Sequence, residues 1–235
     1  MRDGNHKPDG IDVMLNVVGL GCSLKQSPAI SNTEIMMERV IDQMRGHTHI
    51  NYDPIRVADY DVKLGVELDE GDGDEWPEIS RRVLAADVLI LGAPIWVGHP
   101  SSVAQRVCER MDSYLFNFNE HGQKLPYNRV AGVCITGNED GGHHAFAELA
   151  QALIDFGFTL PPEARAYWTG WSDKSPGPNY ADAGLDCAYT NGMIEHMANS
   201  LVHVATILKE HPIPPLPSDL EQAEVQQGRS AAGFT

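Results

Sequence analysis

GCSLKQSPAISNTE (residues 21–34) stands between two segments of opposite periodicity. Before it, DVMLNVVG (residues 12–19) is a short, valine-rich apolar run, the pattern of a strand buried on both faces of a parallel sheet. After it, Ile35, Met36, Met37, Val40, Ile41 and Met44 recur at helical spacing, and Gly46 marks a stop. Ser31-Asn-Thr-Glu34 matches a capping box, with Ser31 as N-cap and Glu34 three residues on. A strand, a loop rich in hydroxyls and a capped helix form the opening of a βαβ unit.

The same alternation continues. A strand is expected near residues 49–57, weakened by Pro54. An acidic surface loop (59–78) follows, then a helix with Pro77 in its first turn, ending near Ala85. DVLILG (87–92) is the plainest strand, followed by APIWVGHPS and a helix from Ser102 capped by Ser101 or Ser102. RVAGVCIT (129–136) is the fourth strand and leads through GNEDGGH into a helix carrying Phe146, Leu149, Ala150, Leu153 and Ile154 inward. A fifth, short strand lies within 158–168, interrupted by Pro161 and Pro162, and a last helix covers 190–210. This pattern predicts a three-layer α/β/α fold with a five-stranded parallel sheet in the flavodoxin-like order 2-1-3-4-5. The expected organisation is a leader (1–11), one domain (12–210) and a proline-rich, polar tail (211–235).

Composition narrows the function. The chain has 235 residues, 17 basic and 33 acidic, with a formal net charge of −16. Such a field repels phosphate backbones, so no nucleic-acid partner is expected. No stretch is long and apolar enough for a membrane span, and the opening lacks a signal-peptide pattern. Cys22, Cys108, Cys134 and Cys187 form no CxxC pair, and ten scattered histidines show no metal-type spacing. The expectation is a cytoplasmic, reduced protein with no metal site.

In the expected order, ligands bind beyond the carboxyl ends of the first, third and fourth strands. Three loops meet there. Gly19-Leu-Gly21 begins like a dinucleotide fingerprint, but position 24 is Leu, so GxGxxG fails, and no GxxxxGK[ST] is present. The first loop instead offers Ser23, Ser27, Ser31, Asn32 and Thr33 at a helix start, donors suited to a terminal phosphate monoester. The second, Pro94-Ile-Trp-Val-Gly98, places Trp96 where it can cover a flat ring. The third supplies Gly137, Asn138, Gly141 and Gly142 for close backbone approach, with Glu139 and Asp140 as expected helix caps and His143 and His144 unassigned. A phosphate pocket and two loops flanking a ring meet the requirements of flavin mononucleotide (FMN).

The segments SLKQSPAISNTE (23–34), VLILGAPIWVGHPSSVAQRVCERMD (88–112) and CITGNEDGGHHAFAELAQALIDFGF (134–158) together resemble the flavodoxin-like NAD(P)H-dependent FMN reductases over residues 12–209. The resemblance implies phosphate contacts from Ser23, Ser31, Asn32 and Thr33. It implies ring contacts from Pro94, Ile95, Trp96, Val97, Gly98, Gly137, Asn138, Gly141 and Gly142. It also implies NADH or NADPH as co-substrate, a small-molecule electron acceptor such as a quinone or free flavin, and a homodimer or homotetramer whose neighbour helps cover the flavin. The first loop, with Pro28 inside it, is longer than the compact phosphate loop of short flavodoxins, which leaves Ser27 out of the expected ligand set. The cysteine cluster of the related iron–sulfur flavoproteins is missing, so no cluster is expected. Hydride transfer needs no side-chain acid or base, and none is assigned. The alternatives on the same fold are a one-electron carrier without its own substrate and a flavin-free binding protein.

Overall fold

A computed structural model of the chain describes residues 13–170 and 176–215. The expected leader and most of the expected tail lie outside the described residues. The elements are β1 (Met14–Gly21), α1 (Asn32–Arg45), β2 (His49–Arg56), α2 (Trp76–Ala85), β3 (Val88–Trp96), β4 (His99–Pro100), α3 (Ser102–Met111), β5 (Val130–Thr136), α4 (Gly142–Phe156), β6 (Arg165–Trp168) and α5 (Ala188–Glu210). The parallel sheet runs β2-β1-β3-β5-β6, and the two-residue β4 pairs antiparallel with the end of β3. Without that added β4, the order is the flavodoxin-like one. No helix among the described residues is long and apolar enough to cross a membrane.

Strand alternation decides which helix packs where. In β1, Leu15 and Val17 face one side with Val88 and Ile90 of β3, under α1 (Met36, Met37, Val40, Ile41) and α5 (Ile194, Met197, Leu201). Val18 and Leu20 face the other side with Leu89 and Leu91, under α2, α3 and α4 through Ile79, Val83, Val107, Leu149 and Leu153. Gly92 lets α1 lie close to β3, since a Cβ there would meet Met37 Sδ at 2.2 Å. Cys22 and Cys134 are fully buried and Cys108 nearly so, and burial pushes all three thiols up, Cys108 to about 12.

Local details depart from the sequence expectations. The capping box is half formed: Ser31 Oγ accepts from Glu34 N at 3.3 Å, but the Glu34 carboxylate pairs with Arg56 of β2 (Nε–Oε1 2.7 Å) instead of returning to the cap. The third strand does not end at Gly92. It runs on to Trp96, because β5 pairs with it as far as Pro94, in register with Thr136, and β4 pairs with Ile95 and Trp96. Pro54 is tolerated inside β2 because β2 is an edge strand, bonded to β1 alone. The fifth strand is split as expected: Thr159 bridges Val130, and pairing resumes at Arg165.

The acidic loop is anchored at more than Trp76, which is buried. Arg110 of α3, fully buried, donates to Lys63 O (3.1 Å), Glu67 O (2.8 Å) and Asp74 Oδ2 (2.7 Å). Burial alone would raise the Asp74 carboxyl, but the Arg110 guanidinium and the amides of Glu70, Trp76 and Lys63 outweigh it and hold it at about 2. At the other end, residues after α5 lie on their own chain: Gln123 Nε2 donates to Ile213 O (2.9 Å) and Ile213 N donates to Asn128 Oδ1 (2.7 Å).

Candidate functional site

The carboxyl ends of β1, β3 and β5 open into one crevice. Its walls are Ser23, Leu24, Lys25, Ile30, Ser31, Asn32 and Thr33 from the first loop and the start of α1, and Pro94, Ile95 and Trp96 from β3. Thr136, Gly137 and Asn138 follow β5, and Asn179 and Tyr180 come from the connection before α5. Nine of the expected contact residues are thus brought together. Val97, Gly98, Gly141 and Gly142 are not on these walls.

The end of β3 explains their position. Trp96 pairs with His99 across a two-residue turn in which Val97 and Gly98 both have positive φ (53° and 78°). That is the tightest hairpin geometry, and a β-branched residue is strained at its first position. Val97 N donates to Glu139 Oε1 at 2.8 Å, so Glu139 braces the hairpin instead of capping α4. Asp140 accepts from Gly141 N at 2.7 Å and does not cap either; the N-cap, Gly141, has no side chain to do so. Gly141 and Gly142 serve packing within the chain. A Cβ at Gly141 would stand 2.7 Å from Gly98 O, and one at Gly142 would meet Thr169 and Tyr167. The Trp96 side of the crevice is therefore fixed by backbone contact between the hairpin and the start of α4. Trp96 itself is 52% exposed.

The first loop is built from internal bonds. Cys22 N donates to Gly92 O (2.8 Å), and Ser101, which caps α3 through Ala104 N, donates its hydroxyl to Cys22 O (2.7 Å). Ser27 is tied to Asp59 by both its amide (2.8 Å) and its hydroxyl (2.6 Å), away from the crevice walls. Thr33 Oγ1 lies 2.6 Å from Thr136 Oγ1, buried, so its hydroxyl ties α1 to the end of β5. Asn32 Oδ1 accepts from Ala181 N (2.8 Å), which draws the last connection over the crevice. Gly177 N to Asn138 O (2.7 Å) and Trp168 Nε1 to Pro178 O (3.0 Å) hold it there.

The electrostatics of the walls are unlike those of the whole chain. Among the described residues, Lys25 is the sole charged side chain lining the crevice and no carboxylate lines it, although the sequence carries 33 acidic residues. The first amides of α1 have no partners within the helix, and its dipole adds positive potential. Tyr180 is fully buried, and its hydroxyl has no partner among the described residues. Lys25, Asn179 and Tyr180 are additions that the sequence pattern did not single out. Tyr180 and Asn179 sit in a proline-, glycine- and aspartate-rich segment whose composition reads as plain loop; a lone aromatic among small residues was the available signal.

Comparison with known proteins agrees with this geometry. The family model of the NADPH-dependent FMN reductases matches residues 15–172. The chain belongs to that family. This FMN reductase family member is 30% identical over 209 residues to the 8-demethyl-8-aminoriboflavin-5'-phosphate synthase of Streptomyces davaonensis, covering 84% of this chain and 80% of that protein. A crystal structure of RosB with bound intermediate OHC-RP (8-demethyl-8-formylriboflavin-5'-phosphate) superposes with a TM-score of 0.77 at 29% identity, covering 94% of this chain and 89% of that one. The chain is also 37% identical over 228 residues to the divalent metal cation transporter MntH of Mycobacterium bovis, covering 94% of this chain but 32% of that protein, so it spans about a third of that relative's length.

Proposed function

We propose that this chain binds FMN in the crevice and passes hydride from NADH or NADPH to it, and on to a small acceptor such as a quinone or free flavin. The observation that carries this is the grouping of Lys25, Ser23, Ser31 and the α1 N-terminus on walls that, among the described residues, hold no carboxylate, in a strongly acidic protein. That donor set fits a phosphate monoester. When bound, FMN supplies the hydride chemistry, and the protein supplies position and electronics. Ser23, Ser31, Lys25 and the amides of Asn32 and Thr33 hold the phosphate. Pro94, Ile95 and Trp96 on one side, and Gly137 and Asn138 on the other, border the ring. Val97, Gly98, Gly141 and Gly142 shape that border from behind.

The open crevice has a volume of about 180 Å³, below the roughly 300–1,000 Å³ usual for small-molecule sites, so part of a flavin would stand uncovered. This supports an oligomer in which a neighbour covers the ring, and leaves a face on which a nicotinamide can stack. The acidic exterior disfavours the more highly charged NADPH relative to NADH.

The likeness to the aminoriboflavin phosphate synthase, over most of both chains, supports a second reading: flavin phosphate as substrate, altered on its ring, rather than as cofactor. One experiment separates the two. Purified protein is mixed with FMN and reduced anaerobically with NADH or NADPH while absorption is followed; a parallel sample is incubated in air with an amine donor, and its flavin is released and weighed by mass spectrometry. The oxidoreductase reading expects bleaching and a flavin of unchanged mass. Tight FMN binding without bleaching by either nicotinamide overturns it, and a changed flavin mass supports the second reading.

A further inference from the structure

A cluster outside the crevice is unused by that function. His99 on β4 reaches across to α4, where His144 and Glu148 stand one turn apart on the same face. His99 Nδ1 is 2.8 Å and His144 Nε2 2.9 Å from the same carboxylate oxygen, Glu148 Oε1. The two imidazole rings meet edge to face, 4.7 Å between centroids. None of the three residues lines the crevice. We propose that His99, His144 and Glu148 form a binding site for a divalent first-row transition ion of the Zn²⁺ class, clamping the Trp96–His99 hairpin to α4.

The sequence expectation of no metal site followed from spacing along the chain. Folding adds what spacing cannot show: the hairpin turn brings position 99 beside positions 144 and 148. The three ligand atoms all lie within 4.8 Å of one another. A tetrahedral ion with bonds of about 2.0–2.1 Å needs its ligands roughly 3.4 Å apart. The two His–Glu distances must open by about half an ångström and the two histidine nitrogens must approach to that same spacing, movements that rotation of the exposed side chains supplies.

The frame beneath them is fixed. The Gly98 backbone rests on Gly141, and Val97 N is bonded to Glu139, so hairpin and helix keep their separation. Two imidazole nitrogens and one carboxylate suit zinc, cobalt or nickel and disfavour calcium and magnesium, which take oxygen cages. Three protein ligands leave a fourth position for water. The site lies on the surface, outside the crevice, so its role is a clamp on the wall that carries Trp96.

The test is independent of flavin. Full-length, tag-free protein is stripped with chelator and titrated with Co²⁺. The expected result is one Co²⁺ per chain with the intense visible absorption of four-coordinate cobalt, displaced by Zn²⁺. His99→Ala and His144→Ala should each weaken binding by about 100-fold or more, a ligand loss exceeding the 10–100-fold typical of outer partners. His143→Ala, one residue away, should leave it unchanged. Thermal melts of the metal-free variants report folding, and Glu148→Gln replaces any alanine variant that melts early. Weak six-coordinate absorption, or stoichiometric binding that survives both histidine substitutions, overturns the site.

Discussion

Ser31→Asp separates the helix cap that Ser31 forms from the phosphate contact proposed for it. As an N-cap, aspartate equals serine, and its charge at a helix N-terminus adds about 0.3–1 kcal/mol. Folding should therefore be unharmed. As a neighbour of a bound phosphate, the same carboxylate is repulsive. Ser31 is 7% exposed, so the intermediate dielectric of a protein boundary applies. At an effective dielectric near 20, unit charges about 4 Å apart interact by about 4 kcal/mol, and a phosphate monoester carries roughly 1.5–2 charges. Halving the resulting ~6–8 kcal/mol for the open mouth of the crevice leaves about 3–4 kcal/mol, a loss of roughly 100–1,000-fold in affinity. The assay is fluorescence titration with FMN and riboflavin in parallel, with thermal melts as the folding control. FMN affinity should collapse, riboflavin affinity should hold, and added salt should restore part of the loss. Unchanged FMN affinity in a folded variant, or equal losses for both flavins, would refute the placement of the phosphate at the start of α1.

Two further outcomes concern the frame. Asp74, held at about 2 against an ordinary 3.8, contributes stability that is fully present above about pH 4 and is lost as pH falls toward 2, amounting to about 2.5 kcal/mol. Urea unfolding across this window should show a steeper acid loss in the parent than in Asp74→Asn, and Arg110→Met, which strands the carboxylate, should cost about 3–5 kcal/mol at pH 7. Thr33→Val should cost about 1–3 kcal/mol by leaving the Thr136 hydroxyl buried and unpaired, with much of that recovered in the Thr33→Val/Thr136→Val double variant, as read by equilibrium unfolding.

The fold was legible because its signals are local and repeated. The valine-rich run before Gly21, the helical spacing from Ile35 to Met44 and the run at 87–92 each specify an element without reference to the others. What escaped depended on partners. Gly92 reads as the end of a strand, yet pairing with β5 carries β3 to Pro94, and pairing with β4 carries it to Trp96. Val97 at positive φ leaves no trace in sequence, since nothing about a valine announces a left-handed turn. Glu34 fits a capping box, but Arg56, brought alongside by β2, is the stronger partner for its carboxylate. The loops bordering the crevice were legible through their hydroxyls and glycines, whereas Tyr180 and Asn179 reach it only because Asn32 and Asn138 draw the last connection inward.

The two rims of the sheet bear on how copies of this molecule can meet. One rim is β2, which carries Pro54; the other is β6, four residues long. A proline-bearing border and a stub are poor templates for strand-to-strand extension between molecules. Any self-association would then favour helix flanks or the crown of loops, where Trp96, Leu24 and Ile30 present apolar surface to solvent. A second subunit docking on that crown would roof the crevice instead of lengthening the sheet, so quaternary structure and ligand sequestration would arise from a single contact.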